Sequence, residues 1–253
     1  MNISFAPHPH AECMVFPPLS GTGIVHGVFD RRGGTSAPPW DSMNVGFGLG
    51  DGDENVRENR NRIKRALGLE KLVSAKQVHG STVYALTGEP PADLAVAGCD
   101  GLLTDIPGLG LMIQQADCQA VLLHDHRQKA VGIVHVGWRG TVHDIINKSV
   151  LAMQEAFGTR PADLKAAISP SLGPCCAEFI HYQSELPAAL HAYQVRPNYF
   201  DFWAISWDQL LAAGLRQERI WSAGICTACT PSYFSYRRDK TTGRFASVIG
   251  LCT

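Results

Sequence analysis

Short apolar runs rich in branched residues recur along this chain, and segments with helical periodicity lie between them. Runs at residues 24–29, 72–78, 82–86, 109–114, 120–123, 131–136, 165–168 and 244–251 are too brief for independent helices and read as strands. Residues 53–67 read as a helix: Asp53 and Glu54 suit the positive end of the helix dipole, Val56, Ile63 and Leu67 keep helical spacing, and Gly68 supplies the stop. A second helix follows Trp138-Arg139-Gly140-Thr141, with Val142, Ile145, Ile146, Met153 and Phe157 on its apolar face and Gly158 at its end. The third covers residues 206–213 and is closed by Gly214. Helices interleaved with strands exclude an all-β domain. Hairpin-sized gaps around Gly80, Gly108 and Asp125 predict a mixed or largely antiparallel sheet.

No internal repeat, low-complexity tract or long linker divides the 253 residues, so the expectation is one compact α/β domain over 1–253, with layered mixed β-sheets flanked by helices. With 22 basic against 23 acidic residues the formal charge is -1, which offers no global field for a nucleic-acid polymer but leaves a small anionic substrate open through local arginines. Residues 1–11 lack a basic stretch followed by an apolar one, and no uncharged apolar run approaches the length of a membrane span. The expected location is cytoplasmic, where the eight cysteines are thiols or metal ligands. Cys226 and Cys229 form a lone C-x-x-C pair, read as structural or incidental because no second pair or histidine nearby in sequence completes a zinc knot.

Three metal-competent side chains stand where apolar runs end: His79, Cys118 and His135. One thiolate and two imidazoles are a borderline-soft donor set suited to Zn²⁺, and three protein ligands leave the fourth tetrahedral position open for chemistry. Each residue alone has an ordinary explanation, a small core cysteine or a hydrogen-bonded histidine. Their shared setting favours a site, since strand ends on a rigid scaffold are where site residues are presented. Gly137-Trp138-Arg139-Gly140-Thr141 leaves a strand and opens a helix. Its free N–H groups and the Arg139 guanidinium suit an anion, and a tight turn with a packed Trp138 and a solvated Arg139 is the alternative. Arg31-Arg32-Gly33-Gly34 and Tyr236-Arg237-Arg238-Asp239 are two further cationic turns.

Phe29-Asp30-Arg31-Arg32-Gly33-Gly34, Ser42-Met43-Asn44-Val45-Gly46, Glu58-Asn59-Arg60, Gln77-Val78-His79-Gly80, Ala116-Asp117-Cys118, His135-Val136-Gly137-Trp138-Arg139-Gly140, Gly173-Pro174-Cys175-Cys176, Cys226-Thr227 and Phe234-Ser235-Tyr236-Arg237-Arg238-Asp239 follow one another in this order. In these motifs the chain resembles the bacterial YfiH/YlmD-like proteins, also called the laccase-domain or polyphenol oxidoreductase family, which includes the human protein FAMIN. The resemblance runs over nearly the whole chain. It implies a single catalytic domain over 1–253, a zinc site at His79, Cys118 and His135, with copper as the alternative ion, and a purine nucleoside phosphorylase. The implied substrates are adenosine, inosine, guanosine and methylthioadenosine with phosphate, and adenosine deamination is implied as an additional activity.

Phosphorolysis requires phosphate to be placed against the anomeric carbon while the purine leaves with negative charge. On this reading Arg139 and Arg31 hold the phosphate, Asn44 hydrogen-bonds the substrate, and Asp117 either shuttles a proton or, preferably, orients a ligand histidine. Three rivals stand beside it. A copper-dependent phenol oxidase would draw on His8-Pro9-His10 and His124-Asp125-His126, which lack the companions of a multicopper cluster. A cysteine hydrolase would use Cys118 as nucleophile and His135 as base. A noncatalytic sensor would bind the nucleoside and leave it unchanged.

Overall fold

The apolar runs build two sheets that close on a shared buried layer. The computed structural model describes residues 3–6, 11–21 and 23–252. The first half of the chain carries β1 (Ser4–Ala6), β2 (Cys13–Val15), β3 (Ile24–Phe29), α1 (Asp53–Leu67), β4 (Lys71–Lys76), β5 (Val83–Ala85), β6 (Leu94–Ala97), β7 (Gly101–Thr104), β8 (Leu109–Gln115) and β9 (Gln119–Asp125). The second half carries β10 (Ala130–Val136), α2 (Trp138–Val142), α3 (Ile145–Phe157), β11 (Lys165–Ile168), α4 (Tyr182–Glu185), β12 (Gln194–Arg196), β13 (Tyr199–Phe200), α5 (Phe202–Ala212), β14 (Ile220–Ser222), α6 (Tyr236–Asp239) and β15 (Phe245–Leu251).

A seven-stranded sheet has the order β1-β2-β3-β15-β8-β4-β6, a six-stranded sheet the order β14-β11-β9-β10-β7-β5, and β12 and β13 form a separate pair. Both large sheets are mixed: in the first, β4 runs parallel to β6 and β8 while β15 runs antiparallel to β3 and β8, and in the second, β5 runs parallel to β7 while β10 runs antiparallel to β9.

Between the sheets, Met14, Val28, Val73, Leu111 and Ile249 of the first meet Leu102, Leu122, Ile133 and Ala167 of the second. Helices cover the outer faces. Ile145, Ile146, Val150 and Met153 of α3 pack on Val121, Leu123 and Val134, while Ile63 and Ala66 of α1 pack on Leu72, Met112 and Val248. Each valine, leucine, isoleucine or methionine side chain so removed from water contributes about 1.5–3 kcal/mol. Four layers explain why β10 reads as a continuous apolar run and not an alternating one. Val131 and Ile133 enter the inner layer, Val134 and Val136 the outer, and all seven residues of the strand are buried.

The second helix is two. Asp144 takes a left-handed conformation (φ 53°) that separates α2 from α3, a break that the apolar spacing does not reveal because Ile145 and Ile146 resume the same face. The third helix begins earlier than residue 206: the Asp201 side chain accepts the N–H groups of Trp203 and Ala204, each at 3.0 Å, and this cap starts α5 at Phe202. Of the three expected hairpins only the one at Asp125 forms, joining β9 to β10. The segments around Gly80 and Gly108 instead carry the chain from one sheet to the other, β4 to β5 and β7 to β8. Among the described residues no helix is long and apolar enough to cross a membrane.

Candidate metal centre

Chain crossings between the sheets place the site. His79 lies in the crossing from β4 to β5, Cys118 in the crossing from β8 to β9, and His135 near the end of β10. The ligand atoms of these three residues all lie within 4.8 Å of one another. Exposure falls from His79 through Cys118 to the buried His135, so the cluster opens to solvent on one side. The two imidazoles meet edge to face, 4.9 Å between ring centres. Gly137 lies against all three: a Cβ there would sit 3.2 Å from His79 Cδ2, 3.3 Å from Cys118 Sγ and 3.6 Å from His135 Cε1. A side chain at 137 would crowd the ligands, and its lack leaves them a shallow cradle.

Asp100, one residue before β7, organises this cluster. Its Oδ1 accepts the Nδ1–H of His135 at 2.7 Å and the backbone N–H of His79 at 3.0 Å, and its Oδ2 accepts the N–H groups of Val78 at 3.2 Å and Gly80 at 2.8 Å. The Asp100 carbonyl also accepts the His135 N–H at 2.6 Å. One buried carboxylate therefore clamps the turn that carries one ligand and orients the ring of another, leaving Nε2 of His135 for a metal. The clamp holds His79 in the left-handed region, at φ 58°. Burial opposes ionisation of Asp100, but the His135 hydrogen bond and the Gly80 and Val78 N–H groups outweigh it and keep the carboxyl below its ordinary range.

Electrostatics within the cluster favour a thiolate. Burial opposes the charge on Cys118, yet His135 and then His79 overcome it and bring the thiol down to about 6. In return, and against its own burial, His135 is raised to about 9 by Cys118 and Asp100. The donors fit the ion that their chemistry calls for: a thiolate, two imidazoles, a carboxylate behind one of them, and an open side.

That open side faces a cavity of about 750 Å³. Phe47, Trp138, Phe179 and Tyr236 give it aromatic walls, and Lys76, Arg60, Arg237 and Arg244 give it positive charge. Arg60 is spoken for: its Nε and Nη2 donate to Val45 O at 2.9 and 2.7 Å, and its side chain stacks on Phe47. Both terminal nitrogens of Arg237 donate to Glu178 O at 3.1 Å. Lys76 Nζ has no hydrogen-bond partner among the described residues, and Arg244 uses one terminal nitrogen, on Thr242 O and Gly243 O.

The other residues singled out from the sequence lie elsewhere or act differently. Asp117 lines the cavity, and its carboxylate hydrogen-bonds neither ligand histidine among the described residues. Its Oδ1 accepts the Thr227 hydroxyl at 2.7 Å and its Oδ2 the Arg237 N–H at 2.6 Å, so the expected orienting role falls to Asp100. Arg31 is outside the cavity wall, bound to Asp41 through Nε (2.7 Å) and Nη2 (3.1 Å) and stacked on Phe234. Arg139 is exposed and lies over the ring of Trp138, also outside the wall. Asn44 is fully buried. Its amide donates to Gly46 O and Asp51 Oδ2 and accepts from the N–H groups of Gly46 and Arg244, which shapes the wall and leaves no group for a ligand.

Of the two His-x-His segments, His8-Pro9-His10 lies outside the described residues. His124 is buried on β9, its Nδ1 has no hydrogen-bond partner among the described residues, and burial pushes its pKa down to about 4. A second cluster was not legible: Cys226 and Cys229 meet Cys175 and Cys176. The Cys-Cys dipeptide was the available signal, hidden by some fifty intervening residues.

The chain is similar to known proteins over most of its length. The family model described as multi-copper polyphenol oxidoreductase laccase matches residues 25–252. Purine nucleoside phosphorylase YlmD of Geobacillus stearothermophilus is 34% identical over 253 residues, covering 92% of this chain and 92% of that one. Purine nucleoside phosphorylase YfiH of Escherichia coli K12 is 35% identical over 232 residues, covering 87% and 91%. The crystal structure of YlmD from Geobacillus stearothermophilus superposes with a TM-score of 0.88 at 32% identity over 98% of this chain and 99% of that one. The single compact α/β domain of mixed sheets and flanking helices is thus shared with that structure.

Proposed function

The chain belongs to the family described as multi-copper polyphenol oxidoreductase laccase, and from that membership and the site we propose that it is a zinc-dependent purine nucleoside phosphorylase, with residues 1–253 as one catalytic domain. The observation that carries the reading is the opening of the His79, Cys118 and His135 cluster into a cavity with both aromatic walls and unpaired positive charge. The names of the relatives support the reaction class.

His79, Cys118 and His135 would hold the ion, which when bound supplies Lewis acidity at the inner end of the cavity. Phe47, Trp138 and Phe179 offer faces and edges for a purine. Lys76 and Arg244 hold inorganic phosphate against the anomeric carbon, where a C–O bond forms as the glycosidic C–N bond breaks and the electron pair leaves with the base. Asp117 is a positioning residue: its carboxylate fixes Thr227 and the Arg237 backbone, and its left-handed turn (φ 90°) directs the neighbouring Cys118 toward the histidines.

Adenosine, inosine, guanosine and methylthioadenosine are the proposed substrates, with adenosine deamination as a further activity of the same site. The deciding experiment is chromatography of adenosine incubations with and without phosphate. Adenine formed only with phosphate supports phosphorolysis, inosine formed without it supports deamination, and neither product rejects both. Saturable binding without product would point to a sensor.

Lys76→Met should raise the KM for phosphate about tenfold or more, the scale of one lost charge-assisted contact. Arg139→Ala should leave that KM within about twofold, because the guanidinium sits on Trp138 outside the cavity. Steady-state kinetics over a phosphate series checks both, and the reverse ranking would return the phosphate site to Arg139.

The Cys118–His135 pair favours one second reading, a metal-free cysteine nucleophile, because its thiol is already shifted to about 6. Turnover that survives stringent chelation selects this reading over the zinc-dependent one.

A further inference from the structure

Away from the cavity opening, two turns bring four sulfur atoms together. Cys175 and Cys176 lie on a turn in which the Cys176 N–H donates to Gly173 O at 2.9 Å, and Cys226 and Cys229 on one in which the Thr230 N–H donates to Cys226 O at 3.0 Å. All four Sγ atoms lie within 4.8 Å of one another, with Cys229 3.6 Å from Cys175 and 3.4 Å from Cys176. We propose that these four thiols form a second, structural metal site that takes one Zn²⁺ ion as a tetrathiolate.

The geometry matches the ion. Four sulfurs at the ordinary zinc–sulfur distance of about 2.3 Å stand about 3.8 Å apart along the edges of a tetrahedron. Sulfurs this close leave room for a single ion, not for a cluster of several irons with bridging sulfides. All four positions are filled by protein, which is the mark of a structural site and not of a catalytic one.

Surroundings prepared for negative charge add to the case. The Gly173 N–H donates to Cys226 Sγ at 3.3 Å. Arg196 Nη2 donates to Cys175 O at 2.9 Å, and Arg238 Nη1 donates to Thr227 O at 2.9 Å and Ala228 O at 3.3 Å, so a guanidinium flanks each turn. Four thiolates on one divalent cation carry two net negative charges, which Arg196 offsets in part, while Arg238 is also paired with Asp239 at 2.8 Å. Glycine is required at 173 for the approach: a Cβ there would meet Trp203 Cη2 at 2.8 Å and Cys226 Cβ at 3.0 Å.

Such an ion would tie together the two segments behind the cavity. Ala177 follows the first turn into the cavity wall, and Thr227 in the second holds Asp117. The site is independent of the His79, Cys118 and His135 centre, so the two can be counted separately.

Elemental analysis of zinc-grown protein provides the count. Wild type should hold two zinc ions per chain, Cys118→Ala one, and Cys118→Ala with Cys229→Ser none. Loss of the catalytic-centre reading would lower the first number and leave the second unchanged. Cobalt in Cys118→Ala should show the intense sulfur-to-metal charge-transfer band of a tetrahedral tetrathiolate.

A readout that needs no variant guards against misfolding. The exposed Cys175 and Cys229 should resist iodoacetamide in native wild type and react once a chelator strips the metal. A Cys118→Ala protein that holds no metal after growth in zinc would overturn the proposal. So would free alkylation of Cys175 and Cys229 before chelation, or a Cys175–Cys229 disulfide in nonreducing peptide mapping.

Discussion

Replacing Cys118 by alanine should leave the fold in place and remove the ion of the His79, Cys118 and His135 centre together with turnover. Cys118 is half-buried at a crossing between the sheets and is the one sulfur among the three ligands, so its loss leaves two imidazoles to hold a borderline-soft ion. A catalytic ion contributes several kcal/mol to the transition state, and each 1.4 kcal/mol is about tenfold in rate, so kcat/KM should fall on the order of a thousandfold or more. Far-ultraviolet circular dichroism should be unchanged, because His135 keeps its bond to Asp100 and the core layers do not contain Cys118. Elemental analysis and phosphorolysis measured on one preparation check the outcome. Undiminished turnover with as much zinc bound as in wild type would remove Cys118 from the centre.

The second large effect belongs to Asp100→Asn. The aspartate has four donors on two oxygens, Val78 and Gly80 on one, His79 and His135 on the other. An amide replaces one oxygen with a donor, so either orientation sets two N–H groups against an NH₂ group. Each buried group left without a partner costs about 1–3 kcal/mol, and a fall of about 3 kcal/mol in unfolding free energy is expected. Metal affinity should drop about 10–100-fold, because the variant loosens both the ring of His135 and the turn that presents His79. Denaturant titration and a competitive metal titration read the two effects separately. A variant with wild-type stability and affinity would show that the clamp is dispensable.

These two positions differ in how visible they are in the chain itself. Cys118 stands beside a strand end with an acidic neighbour, and its residue type alone raises metal chemistry. Asp100 lies in Gly98-Cys99-Asp100-Gly101, which reads as any acidic turn, and its four donors come from residues 20 to 35 positions away. The nearer carboxylate, Asp117, was the natural candidate for the orienting role, yet its left-handed backbone turns it toward Thr227 and Arg237. Asn44 and Arg31 were legible as unusual residues of conspicuous motifs. Their polar atoms build the wall and the adjoining loop, since a buried amide or a stacked guanidinium is satisfied locally wherever partners exist.

By itself the sequence determined the α/β class, the α1 helix from Asp53 to Leu67, the apolar runs that become the central strands, and the donor chemistry of His79, Cys118 and His135. These are properties of local periodicity, capping residues and side-chain type, which act within a few positions along the chain. Only the tertiary structure decided that the gaps at Gly80 and Gly108 cross between sheets, that Asp100 clamps the ligands, and that Cys175 and Cys176 meet Cys226 and Cys229. Those outcomes depend on which apolar faces pack against each other, and the contacts that result join residues whose separation in sequence carries no local signal.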